Sequence, residues 1–133
     1  MRFYQKKKRN ENCILFNGDI KDLKLLNKIF NVSRKLKNNI NCLVNNAGER
    51  QRKDFLKISK KDLSKIFKNN FFNHFNLTQI FLKNLPKNIK NASVVNIGSI
   101  VGVRGFSQLS GYASTKSALD GLTKSLAIEF KKK

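Results

Sequence analysis

A length of 133 residues suits one domain with a modest core, and a 40% hydrophobic share that is clustered and periodic excludes a disordered chain. No stretch nears the ~18 consecutive apolar residues of a membrane span. The formal charge of +20 invites a nucleic-acid role, but 22 lysines against 6 arginines scatter along the chain without an RNP aromatic motif, zinc finger or arginine-rich arm.

That charge reads as compositional bias in the source genome. It still favours acidic substrates or partners at long range. Neither nucleic acid nor membrane is expected as a partner. The start, "MRFYQKKKRNEN", lacks the apolar region and cleavage site of a signal peptide. Cys13 and Cys42 lie in or beside short apolar runs. They are expected as buried, reduced thiols in a cytoplasmic compartment. The single histidine, His74, has no ligand partner nearby in sequence, so no metal site is expected.

In chain order, "NCILFN" (12–17) is a short apolar run expected as a strand, followed by "GD". "IKDLKLLNKIFNVSRKL" (20–36) sets Leu23, Leu26, Ile29 and Phe30 on roughly one helical face. "NCLVNNAG" (41–48) predicts a buried strand entering a turn that Gly48 permits. A charged connection follows. Ser59, three residues before Asp62, predicts an N-cap with an acidic group in the first turn of a helix over about 59–84. Pro86, the only proline, stops that helix. "ASVVNIGS" (92–99) predicts a third strand, "IVGVRGFSQLSG" a loop, and residues from about 109 to 130 a last helix.

The order β-α-β-α-β-α predicts an α/β fold, with a parallel sheet and helices on its faces. One partial domain covers residues 1–133: a basic segment at 1–11, a core at 12–130 and a basic tail at 131–133. Ligands of such sheets sit beyond the carboxyl ends of the strands. "GD", "NNAG" and "GS" all fall there.

Tyr112 and Lys116 stand four residues apart, which places them on one helix face. An ammonium beside a phenol favours the phenolate, and such a tyrosine can exchange a proton with a carbonyl/alcohol pair. The pair alone is equally an ordinary piece of solvated helix. Ser99 precedes Tyr112 by thirteen residues at a strand end, where its hydroxyl could orient a reacting carbonyl. Alone it is also an ordinary loop serine. Asn70 sits inside the long helix, an unfavourable place for asparagine, though asparagine is abundant in this chain.

Taken together, "NNAG" at 45–48, Asn70 in "NNFFNHFNLTQ", "VVNIGS" ending at Ser99 and "YASTK" from Tyr112 to Lys116 resemble the short-chain dehydrogenase/reductase family. The flanks "SIVGVRG" and "KSLAIEF" are most similar to 3-oxoacyl-[acyl-carrier-protein] reductases. The likeness runs from about residue 13 to 130.

The resemblance implies a doubly wound, Rossmann-type sheet and NAD(P)-dependent hydride transfer between nicotinamide and a carbonyl/alcohol substrate, small or carrier-bound. Tyr112 would be the acid/base. Lys116 would favour its phenolate and hold the nicotinamide ribose. Ser99 would polarise the substrate carbonyl, and Asn70 would hold a relay water. Asp19 would hydrogen-bond the adenine edge, with Ile20 beside it. Asn45, Ala47 and Gly48 would form the turn supporting the cofactor. The analogy gives NADP an edge over NAD. It also implies a homo-oligomer built through the two long helices.

The family's opening strand and TGxxxGxG turn have no counterpart before "NCILFN". The "GSIVGVRG" stretch has the wrong position and spacing to replace them. After "EFKKK" the family's proline–glycine segment and substrate lid are also missing. The expectation is an internal fragment equivalent to strands 3–5. In the family's strand order the first of these would stand two strands away from the other pair, roughly 14 Å at about 4.8 Å per step. It would either re-pair or leave backbone groups exposed. The alternative is a truncated, non-catalytic remnant or a helix-mediated interaction module of the same fold.

Overall fold

The computed structural model of the protein describes residues 14–35, 40–89 and 91–131. Among these residues four α-helices and two strands follow one another as α1 (Leu23–Arg34), β1 (Cys42–Asn45), α2 (Lys60–Phe67), α3 (Asn73–Asn84), β2 (Ser93–Asn96) and α4 (Ser110–Glu129). One-turn 3-10 segments sit at Phe55–Lys57 and Ile100–Gly102.

The helix starts follow the local chemistry. Asp22 caps α1 by accepting from the Lys24 and Leu25 amides. Ser59 and Asp62 form a reciprocal capping box at the start of α2. Between α2 and α3 the chain does not break; it widens into a π-helical turn at Lys68–Phe72. The expected single helix over about 59–84 is therefore two α-helices joined through that turn. α3 ends at Asn84 because Leu85, before Pro86, is extended.

β1 and β2 pair in parallel, in the register Cys42↔Ser93, Leu43↔Val94, Val44↔Val95 and Asn45↔Asn96. The α2–α3 unit makes the crossover that parallel strands require. Strand side chains alternate, and here the two faces fare differently. Asn45 and Asn96 face the helices, where they bond Thr78 of α3 and Thr123 of α4. On the opposite face Val44 and Val95 are 54% and 43% exposed. The core lies on the helix side and contains Leu26, Ile66, Phe81, Leu109 and Leu119.

Two expectations change. The strand expected at 12–17 is not formed in its described part: residues 14–17 have no ladder partner, and Ile14 and Leu15 are exposed. A strand exists only against a neighbour. No described segment pairs with this run, and apolar character alone cannot place it. The parallel α/β architecture stands with two strands. Cys42 is exposed rather than buried, because it shares the uncovered face with Val44. Cys13 lies outside the described residues.

Candidate active site

The carboxyl ends of β1 and β2 open into two turns, and the long helices bring side chains up to both. Lys116, in the second turn of α4, is only 5% exposed. Its Nζ donates to the Ile97 carbonyl, just past β2, at 2.6 Å. An ammonium has two further N–H groups to offer. Burial pushes Lys116 below the ordinary lysine range. The Tyr112 ring lies one turn earlier, with its centroid 5.9 Å from Lys116 Nζ.

Ser99 caps the 3-10 turn that joins β2 to α4, accepting from the Val101 amide at 3.2 Å. That turn lies tightly on α4. A Cβ built on Gly102 would stand 3.0 Å from Lys116 Cβ and 3.1 Å from backbone atoms of Lys116 and Ser117. The Ser117 hydroxyl donates to the Gly102 carbonyl. A residue with a side chain at 102 would push the Ser99 turn away from the Lys116 helix.

Asn70 lies in the π-helical turn and is fully buried. A widened turn reorients one residue without ending the helix. The amide faces the turn after β1: its oxygen accepts from the Glu49 N–H, and its NH₂ donates to the Glu49 carbonyl, both at 2.8 Å. The second N–H donates to Thr115 Oγ1 at 3.2 Å. Both N–H groups are thus committed to protein atoms, and one oxygen lone pair remains open. A Cβ on Gly48 would stand 3.6 Å from Asn70 Oδ1 and 4.0 Å from Lys116 Nζ. The turn after β1, the π-helical turn and the start of α4 therefore meet at one point.

Asn45 is the last residue of β1 and its side chain is internal. Its amide donates to Thr78 at 2.9 Å and to Asn96 at 2.8 Å, joining the two strands through side chains as well as backbone. Ala47 and Gly48 line a cleft of about 760 Å³. Gly18, Asp19, Ile20 and Lys21 line it too, as do Glu49, Lys65 and Asn69. The Lys21 backbone N–H, donating to the Asp19 carboxylate, holds that group below the usual carboxylate range. Hydrogen bonds from Lys65 and Asn69 do the same for Glu49. The expected residues thus fall into two adjoining groups. Asn70, Ser99, Tyr112 and Lys116 lie around the strand ends, and Asp19, Ile20, Ala47 and Gly48 line one cleft.

Three contributors escaped the sequence reading. Thr115 is fully buried between Asn70 and the Tyr112 carbonyl. It stands inside "YASTK", but nothing in the motif says which way it points. Glu49 contributes its backbone, which no sequence pattern reports. His74 is buried one helical turn after Asn70, and neither ring nitrogen has a hydrogen-bond partner among the described residues. Burial holds it below the ordinary histidine range. The Ala47 backbone pulls the other way without reaching hydrogen-bond geometry, and the nearby Lys116 charge adds to the lowering.

Among the described residues no helix is long and apolar enough to cross a membrane, and no cluster of histidine, cysteine and carboxylate side chains could hold a metal ion.

The chain is similar to known proteins in sequence and in fold. The uncharacterized oxidoreductase YhdF of Bacillus subtilis is 33% identical over 121 residues, covering 90% of this chain and 41% of that protein. The 3-oxoacyl-[acyl-carrier-protein] reductase FabG of Aquifex aeolicus is 39% identical over 104 residues, covering 78% of this chain and 42% of that protein. The solved structure "ElxO with NADP Bound" superposes with a TM-score of 0.80 at 32% identity, over 91% of this chain and 49% of that one. The chain thus spans about half the length, or less, of these relatives. The sequence pattern of the short chain dehydrogenase family matches residues 3–133, and the chain belongs to that family.

Proposed function

We propose that this chain carries the proton-transfer half of a nicotinamide-dependent oxidoreductase site that interconverts a carbonyl and an alcohol. The observation that carries the reading is the buried Lys116 ammonium, tied to the Ile97 carbonyl beside the Tyr112 ring at the carboxyl ends of both strands. Burying an ammonium is costly, and a surface lysine would serve any solvated helix equally well.

The residues present fit the ribose end of a nicotinamide dinucleotide. Lys116 has N–H groups to spare for hydroxyls, and Asp19, which lines the same cleft as Gly48, offers a carboxylate acceptor for an adenine amino group. NADP is favoured over NAD, in line with the NADP held by ElxO. The bound dinucleotide supplies the hydride chemistry. Tyr112 gives a proton to the substrate oxygen in reduction and takes it back in oxidation. Lys116 stabilises the phenolate so formed. Ser99 orients the substrate oxygen towards Tyr112. Asn70 fixes the turn on which the cofactor rests, and its open oxygen lone pair can receive a relay water.

A carbonyl substrate, small or carrier-bound, suits this chemistry, and the positive charge suits an acidic carrier. The test is NADPH oxidation followed with carbonyl substrates, including an acyl-carrier-bound 3-oxoacyl chain. Turnover that Tyr112→Phe abolishes supports the reading, and turnover unchanged in that variant removes it.

A second reading concerns the chain by itself. The uncovered sheet face at Val44 and Val95 and the unpaired run at 14–17 support a chain that binds dinucleotide weakly or not at all when isolated. It then acts as an interaction module through its long helices, where a groove of about 360 Å³ between α3 and α4 exposes Phe75. The same groove is the candidate surface for a homo-oligomer. Titration calorimetry with NADPH separates the readings: micromolar binding by the 133-residue chain discards the second.

A further inference from the structure

We propose that Thr115 is a positioning residue, whose hydroxyl latches the turn after β1 to the helix that carries Tyr112 and Lys116. This rests on the reading above for its consequence in catalysis, but the latch itself stands on geometry.

Thr115 is fully buried, and so is Asn70. The Thr115 hydroxyl donates to the Tyr112 carbonyl at 2.7 Å. Having one proton, it offers Asn70 only a lone pair, so the Asn70 NH₂ must face it. That choice turns the amide oxygen towards the Glu49 N–H and leaves the second amide N–H for the Glu49 carbonyl. The path runs without a gap from the Glu49 peptide through Asn70 and Thr115 to the Tyr112 peptide.

The latch crosses three elements: the turn after β1, the π-helical turn and α4. Lys116 anchors the same helix to the far side, at Ile97 beyond β2. α4 is therefore held from both strand ends, by Thr115 on the β1 side and by Lys116 on the β2 side. A threonine whose hydroxyl only turned back on its own helix would fix nothing outside it. Misplacing a catalytic group by about 1 Å can cost about a hundredfold in rate, so a lost latch should be visible in turnover before it is visible in binding.

Two near-isosteric changes separate hydroxyl from shape. Thr115→Val keeps the branched shape and loses both hydrogen bonds. Thr115→Ser keeps the hydroxyl and loses the methyl. Amide hydrogen exchange of the 133-residue chain, read at Glu49, tests the latch without any need for turnover. Exchange at Glu49 should accelerate about tenfold in Thr115→Val, remain near wild type in Thr115→Ser, and become fastest in Asn70→Ala. Amides of α3 around Phe81 should not change. Unchanged Glu49 exchange in Thr115→Val overturns the latch. A serine variant as fast as or faster than the valine variant also overturns it, because methyl packing is then what matters. In the reductase assay, Thr115→Val should lower kcat about tenfold with KM nearly constant, and Thr115→Ser should restore it. Loosened exchange with undiminished kcat ends the positioning role. Absence of turnover in every form, wild type included, counts against the reductase reading and leaves the exchange result to decide the latch.

Discussion

Lys116 Nζ donates to the Ile97 carbonyl at 2.6 Å across the gap between α4 and the end of β2, from a side chain that is almost wholly buried. A single carbonyl dipole is modest compensation for a desolvated ammonium. Under the proposed function, that cost is offset by placing the ammonium beside the Tyr112 ring, 5.9 Å from its centroid.

Replacing Lys116 with methionine tests that trade directly. Lys116→Met keeps the length of the side chain and removes the buried charge. The melting temperature should hold or rise, while carbonyl reduction falls at least a hundredfold and dinucleotide affinity weakens. A thermal melt beside a steady-state assay checks both. A clear loss of stability would mean that the ammonium is mainly structural.

Tyr112→Phe removes one oxygen from a ring that otherwise stays in place. The expected outcome is a loss of about 10²–10⁴ in rate, the usual worth of a positioned acid/base, with dinucleotide binding nearly intact. Fluorescence titration with NADPH alongside the rate assay separates the two effects.

Gly102→Ala asks whether the Ser99 turn must touch α4. The added methyl would meet Lys116 and Ser117 backbone atoms at 3.1 Å, and a helix backbone cannot move as a flexible side chain can. The turn should lift, lowering both the melting temperature and the rate. A melt and rate equal to wild type would show that the turn has slack.

His74 predicts an acid-sensitive fold. Its folded-state pKa lies below the ordinary value of 6.5, so below about that pH the unfolded chain binds a proton that the folded chain resists. Stability should therefore fall as pH drops from about 6.5 towards the folded-state value and level off below it. Lys116 and the Ala47 backbone are the neighbours acting on the ring. His74→Leu should flatten this part of the profile. Urea melts at pH 7 and pH 5 on both proteins measure the slope, and equal slopes would remove His74 as its source.

Much of this molecule was legible from residue order alone. The 3.6-residue periodicity placed α1, Ser59 and Asp62 marked the start of α2, and Pro86 marked the end of α3, because capping and proline geometry act within a few residues. "NNAG", Ser99 and "YASTK" pointed to a candidate site at the strand ends, since a parallel α/β order puts such turns on one edge. The apolar run at 12–17 carried strand chemistry but no information about a partner, and pairing is a long-range property. For the same reason the exposure of Cys42 was invisible, as it depends on what covers a sheet face rather than on the strand. The π-helical turn at Asn70, the grip of its amide on the Glu49 backbone and the buried Thr115 between them were decided only by the tertiary structure. Hydrogen bonds to backbone atoms 21 residues away and to a hydroxyl 45 residues away are fixed by how three elements pack, and local sequence has no term for that.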